Sequence, residues 1–192
     1  MRFPCCATLA LLAACASDGS EAAERQADTA ARRDSIAGVS AGSMTEANVF
    51  AFLAQVHAAD SAIGMLGAQK GSTSAIKEFG RMILREHAAL RRDVAALAEQ
   101  AAIAPQTPLV PPEEPPAAMR DNIVAGTPGA NWDRGYIDYA IAAHTSAIEN
   151  TARALAATKR PDTRQFIEKS VPILQKHLDK ALSLRRALAR AS

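Results

Sequence analysis

Thiols are scarce in this chain: Cys5, Cys6 and Cys15 are its only cysteines, all near the amino end. Beyond them no thiolate ligand, disulfide or cysteine nucleophile exists, so any metal bound there has nitrogen and oxygen ligands. Aromatic residues are 4% of the chain, and no window alternates β-branched and polar residues as a half-buried strand does. Helices are left as the means of building a core. A surplus of one charge is also lacking, since 22 basic against 20 acidic side chains leave a formal net charge of +2. The basic residues are spread among acids without interleaved aromatics, which gives nucleic acid no surface. No serine or threonine is recognisably paired with a histidine and an acid, which disfavours a hydrolase; the residues name no reaction, and the balance leans away from an enzyme.

The amino end supplies an address. Arg2 is followed by a short apolar stretch through Leu9, Leu11 and Leu12, too short to span a bilayer permanently and suited to a signal peptide. Leu12-Ala13-Ala14-Cys15 resembles the bacterial lipobox. That resemblance implies removal of residues 1–14, acylation of Cys15 and a membrane as partner, and Ala16 in place of Asp implies the outer membrane, facing the periplasm. Residues 15–43 hold little that is large and apolar besides Ile36 and Val39, so they are expected to form a tether. Residues 44–192, roughly 150, are enough for one core.

Four long segments carry helical periodicity. Thr45 is the expected N-cap of the first, ahead of Phe50, Leu53, Val56, Ile63 and Leu66, and Gly71-Ser72 ends it. The second, Ser74 to about Ala102, spaces Gly80, Ile83, His87, Leu90, Val94, Leu97 and Ala101 by threes and fours. The third, about Trp132 to Thr158, repeats this with Ile137, Ile141, His144, Ile148, Thr151, Leu155 and Thr158. After the turn at Arg160-Pro161-Asp162, the last carries Phe166, Ile167, Leu174, Leu178, Ala181 and Leu188, with a kink predicted at Pro172. Residues 103–131 contain seven of the ten prolines and far exceed the 2 to 8 residues of an ordinary helix connection. A short helix is predicted within them at Ala117–Val124. The predicted fold is all-α: a ferritin-like antiparallel four-helix bundle with a long Pro-rich connection between its second and third helices.

Histidine is confined to His57, His87, His144 and His177, one in each long segment. His57 and His87 lie 14 and 16 residues either side of Gly71, which at the helical rise is about 21 and 24 Å from that turn. His144 and His177 lie 16 and 17 residues either side of Arg160, about 24 and 26 Å from theirs. Antiparallel packing therefore brings all four to one level. His87 and His144 fall on their apolar seams, whereas His57 and His177 border theirs. Asp60, one turn from His57, and Glu86, next to His87, are the candidate companions, as ligands or as partners of the outer ring nitrogens. The candidate metal set is His57, Asp60, Glu86, His87, His144 and His177, and zinc, copper and iron all accept such donors. The alternative is a metal-free polar layer that sets helix register in a structural or interaction module docking another envelope protein. Nothing in the residues assigns an oligomeric state.

Three stretches resemble one family. Phe79-Gly80-Arg81-Met82-Ile83-Leu84-Arg85-Glu86-His87, then Gly129-Ala130-Asn131-Trp132-Asp133-Arg134-Gly135-Tyr136-Ile137 with His144, and Val171-Pro172-Ile173-Leu174-Gln175-Lys176-His177-Leu178 resemble the bacterial domain of unknown function numbered four-one-four-two. The resemblance spans about Met44 to Leu188 and implies a ferritin-like helical bundle of an exported or outer-membrane protein. The family's usual aspartate-histidine pair stands here as Glu86-His87, and its usual first-helix glutamate as Asp60. No Glu-x-x-His pair of the di-iron ferritin-like type occurs. Asp133 and Tyr136 belong to the family motif but lie far from the histidine level. Asp133 is expected to meet Arg185 or Arg186 and to suit the positive start of its helix.

Overall fold

A computed structural model describes residues 44–106 and 115–190. The expected signal peptide, Cys15 and the tether lie outside the described residues, as do residues 107–114 of the connection. The described residues form five helices and no strand: α1 (Glu46–Lys70), α2 (Ser74–Gln100), α3 (Ala117–Ala125), α4 (Ala130–Ala157) and α5 (Pro161–Arg190).

Local chemistry sets the ends. Thr45 and Asn48 form a reciprocal capping box, with the Thr45 hydroxyl accepting from Asn48 N at 3.2 Å and the Asn48 side chain accepting from Thr45 N at 3.0 Å. Thr73 caps α2 one way, its hydroxyl accepting from Ile76 N at 3.3 Å. Pro161 opens α5, where its missing N–H costs nothing. Pro172 does not end α5, which continues through it with the proline exposed, so the unpaired carbonyl can turn to water.

The long helices pack chiefly in two pairs, α1 with α2 and α4 with α5, and α1 also meets α4 while α2 meets α5. Glycine makes the first pair close. A Cβ on Gly64 would lie 2.4 Å from Leu84 N, and one on Gly80 would lie 2.3 Å from Ala68 N, so the two backbones touch where those residues stand. Two acids tie the pairs at their ends. Glu46, at the start of α1, accepts from the Thr158 hydroxyl and from the backbone N–H of Lys159 and Arg160 in the α4–α5 turn. Asp133, at the start of α4, accepts from Ser72 N at 2.9 Å and from the Ser72 hydroxyl at 2.6 Å in the α1–α2 turn. This corrects the expected pairing of Asp133 with Arg185 or Arg186. Asp133 is fully buried and both arginines are exposed, so a turn with free backbone donors is the nearer partner.

Burial also revises one seam. On α4 the expected Ile137, His144 and Thr151 are buried, as is Thr158 at its C-cap, but they are joined by Tyr136, Ala140, Ala143, Ala147, Asn150 and Ala154, while Ile141, Ile148 and Leu155 are only half-buried at the edge of that face. Small residues occupy the middle, and the large aliphatics close the flanks. Two apolar clusters result. One gathers Ile63, Ile76, Phe79, Ile83, Trp132, Tyr136 and Leu184, and the other Val49, Phe50, Leu53, Leu90, Val94, Ala154, Phe166 and Ile167. The histidines belong to neither. α1 is apolar enough to cross a membrane by composition, with a mean hydropathy of 1.4, yet it buries His57 and Asp60 among the other helices, as a core helix does.

Candidate metal centre

His57, His87, His144 and His177 are all fully buried, one from each long helix, and their rings form a contiguous cluster. The level expected from helix rise is where they meet. The inward rotation of His57 and His177 was not readable from sequence, since both border their stripes.

Hydrogen bonding orders the rings. His144 Nδ1 lies 2.8 Å from Ala140 O, and a carbonyl only accepts, so this nitrogen carries the proton and Nε2 keeps its lone pair. His177 Nε2 lies 3.0 Å from Glu86 Oε2, which makes it the donor and leaves Nδ1 with a lone pair. Those two lone pairs face each other at 3.3 Å. His87 Nε2 approaches the same His177 nitrogen at 3.1 Å, and one nitrogen from each of His87, His144 and His177 falls within 4.8 Å of the others. The other nitrogen of His87, Nδ1, faces Asp60 Oδ2 at 3.4 Å, an ion-pair separation longer than a well-made hydrogen bond, and His57 Nδ1 at 3.3 Å.

The carboxylates therefore serve histidines of neighbouring helices rather than their own. Glu86 cannot face His87, because adjacent residues on a helix point apart, and it reaches His177 across the α2–α5 contact instead. Asp60 reaches His87 from α1 in the same way. Lys176 joins Glu86 at 2.5 Å, and sequence reasoning missed it, although it precedes His177 directly. Ala140 was missed too, because a backbone acceptor has no residue-type signature.

Burial governs the electrostatics. It lowers His57 to a pKa of about 4 and His87 well below the imidazole range, where positive charge on His144, His57 and His177 pushes further. His177 is lowered to about 4 by burial and by His144, against the opposing pull of Glu86. Glu86 is raised by burial, but bonds from Lys176 and His177 outweigh that and leave it below its ordinary value. Asp60 is raised by burial, with His144 opposing. The cluster accordingly resists holding an extra proton at neutral pH, although its inward lone pairs call for a cation. Two of its polar atoms have no hydrogen-bond partner: His57 Nε2 and Asp60 Oδ2.

Asp133 binds Ser72 rather than joining this cluster, and Tyr136 touches none of its four rings, although the Asp60 charge, after burial, helps to push its hydroxyl up. Tyr136 stacks on Trp132 with centroids 5.1 Å apart, and Trp132 Nε1 donates to Ile123 O at 2.9 Å, which fastens α3 to α4.

The family model described as Domain of unknown function (DUF4142) matches residues 21–184, a span that holds all six candidate residues. The chain belongs to that family. The DUF4142 chain is also similar in structure to a DUF305 fragment from Deinococcus radiodurans, with a TM-score of 0.63 and 17% identity, over 76% of this chain and 97% of the other. At that identity the likeness concerns the fold alone. No curated protein matches.

Proposed function

We propose that this chain is a metal-binding protein whose centre holds one transition-metal cation between His87 Nε2, His144 Nε2 and His177 Nδ1. The observation that carries this is the direction of the protons. His144 and His177 each have their outer nitrogen bonded to an oxygen, Ala140 O and Glu86, so that their inner nitrogens keep lone pairs. His87 Nε2 stands 3.1 Å from the His177 one, with Asp60 Oδ2 3.4 Å beyond its other nitrogen. Metal-bound histidines are oriented by such outer partners. An all-imidazole set suits zinc, copper or iron, and three ligands leave a coordination position open. The role that fits is binding and buffering of such an ion. Without Glu-x-x-His pairs, the di-iron oxidase chemistry of ferritin-like proteins has no ligand set here.

The rest of the reading concerns setting. The chain is taken to be a ferritin-like antiparallel four-helix bundle with a Pro-rich crossover, residues 44–192, tethered by residues 15–43 to an acylated Cys15 in the outer membrane and facing the periplasm. The lipobox-like Leu12-Ala13-Ala14-Cys15 supports the anchor, and the contacts of α1 with α4 and α2 with α5 support the bundle. Incorporation of labelled fatty acid that is lost in Cys15→Ser tests the anchor.

Metal-free protein titrated with Zn²⁺ or Cu²⁺ is the test of the centre. The parent should bind, and His87→Ala, His144→Ala and His177→Ala should each weaken binding by more than about a hundredfold, beyond the loss typical of an outer partner. Variants that all retain the parent's bound metal would overturn the reading.

A further inference from the structure

His87 has two ring nitrogens, and the proposed centre uses one. Around the other, Nδ1, stand His57 Nδ1 at 3.3 Å and Asp60 Oδ2 at 3.4 Å, both from α1 and spaced by three residues, so that they project from one face of the helix. Asp60 is 96% buried, and its Oδ2 has no hydrogen-bond partner. Such an atom is costly unless something pairs with it.

Asp60 is also where the cluster meets open space. A crevice of about 400 Å³ lies between α1 and α4, with α3 over one end, and none of the four histidines lines it. Asp60 does. Alanines at 62, 143 and 147 leave the room, and Ser146 adds a polar group to the wall. The crevice thus reaches the imidazole layer through one carboxylate.

We infer that His57 Nδ1, Asp60 Oδ2 and His87 Nδ1 form a second cation site, which shares the His87 ring with the first. The inference rests on the metal-binding reading above and adds to it a second divalent ion of the kind that accepts imidazole and carboxylate together, Zn²⁺ or Cu²⁺. The second ion replaces the proton on His87 Nδ1. One N–H bond breaks, the electron pair stays on nitrogen and forms the N–metal bond, and the proton leaves through Asp60 and the crevice to solvent. No electron is transferred. The His87 imidazolate then bridges two ions, and the crevice leaves room on the second for water or a small exogenous ligand.

Titration of the full-length protein with Cu²⁺, followed by metal analysis and electron paramagnetic resonance, tests this. Two equivalents should bind per chain, and the resonance should grow through the first and fall through the second, because bridged Cu²⁺ ions couple. Asp60→Asn, which keeps the shape of the side chain, and His57→Ala should each return the protein to one equivalent with an uncoupled signal. A parent that binds one equivalent, lost in the His144→Ala and His177→Ala variants, overturns the second site and leaves the first standing. Two equivalents that persist in both α1 variants also overturn it, and a parent that binds none overturns both readings.

Discussion

The two nitrogens of His87 look onto regions of opposite character. On the Nε2 side, His144 and His177 come from the second helix pair, each has its outer nitrogen fastened to an oxygen, and the lone pairs converge. On the Nδ1 side, His57 and Asp60 come from α1, and each retains a polar atom without a partner. One side is orientationally finished and enclosed by packed helices. The other borders a crevice and is held by two long contacts, at 3.3 and 3.4 Å. The difference teaches that preorganisation here is a property of second nitrogens. A ring whose outer atom is fixed can offer only its inner one, whereas His57, whose Nε2 is unpaired, is held by its Nδ1 contact with His87 and by packing against Phe166.

The largest break in this contrast is expected from Gly64→Ala. Its Cβ would meet Leu84 backbone, which has little freedom to move, so a loss near the upper end of the overpacking range, about 3 kcal/mol, should appear in thermal or denaturant unfolding. Because Gly64 is one turn from Asp60, the Nδ1 side should suffer first, seen as altered His57 and Asp60 resonances before those of His144.

Metal affinity separates the two acids next. Glu86→Gln should weaken Zn²⁺ binding at the Nε2 side by about 10- to 100-fold, and Asp60→Asn by less, since its contact is longer. Equal losses in calorimetric titration would erase the distinction drawn between the sides.

Acid sharpens it further in metal-free protein. His57 and His177, held to about 4 when folded, take up protons in the unfolded chain from about 6.5 downward. The unfolded state binds more protons between those values, so stability falls as pH drops from 6.5 to 4, by up to about 1.4 kcal/mol per pH unit for each histidine. His87, lowered further, acts with the same sign. Asp60, raised in the fold, acts with the opposite sign and softens the loss. A melting temperature flat across that window would mean that the rings are not held neutral.

The smallest effect is a control. Tyr136 also carries an unpaired buried hydroxyl, but it sits against Gly67 and meets the cluster only through the charge of Asp60. Tyr136→Phe should leave metal binding unchanged and raise stability by about 1 kcal/mol, the behaviour of an orphaned atom that awaits no ligand.

Much of this was legible before any coordinates. The histidine level followed from residue counts to two turns, because helical rise is the same for every sequence. The helix starts followed from Thr45, Thr73 and Pro161, whose side chains have positional chemistry. Rotation was harder. α1 and α4 are rich in alanine, which buries as well as it exposes, and on α4 Ile137 is buried as expected whereas Ile141 and Ile148 lie at the edge of the buried face. The partners of the acids were harder still. Asp133 with Ser72, Glu86 with His177 and Asp60 with His87 are contacts between helices, decided by which neighbour stands opposite, and spacing along one helix carries no record of that.

The backbone contact at Gly64 and Gly80 carries a consequence for the order of assembly. It locks α1 to α2, and with them His57, Asp60, Glu86 and His87, into a hairpin of local contacts, the kind that forms early. His144 and His177 arrive on the other hairpin. The donors of the second site all lie on the first hairpin, but the converging nitrogens of His87, His144 and His177 are divided between the two, so that centre comes into being only when the halves dock. Interactions made after the folding barrier slow unfolding and leave the folding rate alone. An ion held between the hairpins would therefore act as a latch on a finished chain, lengthening its lifetime while leaving the speed of its making untouched.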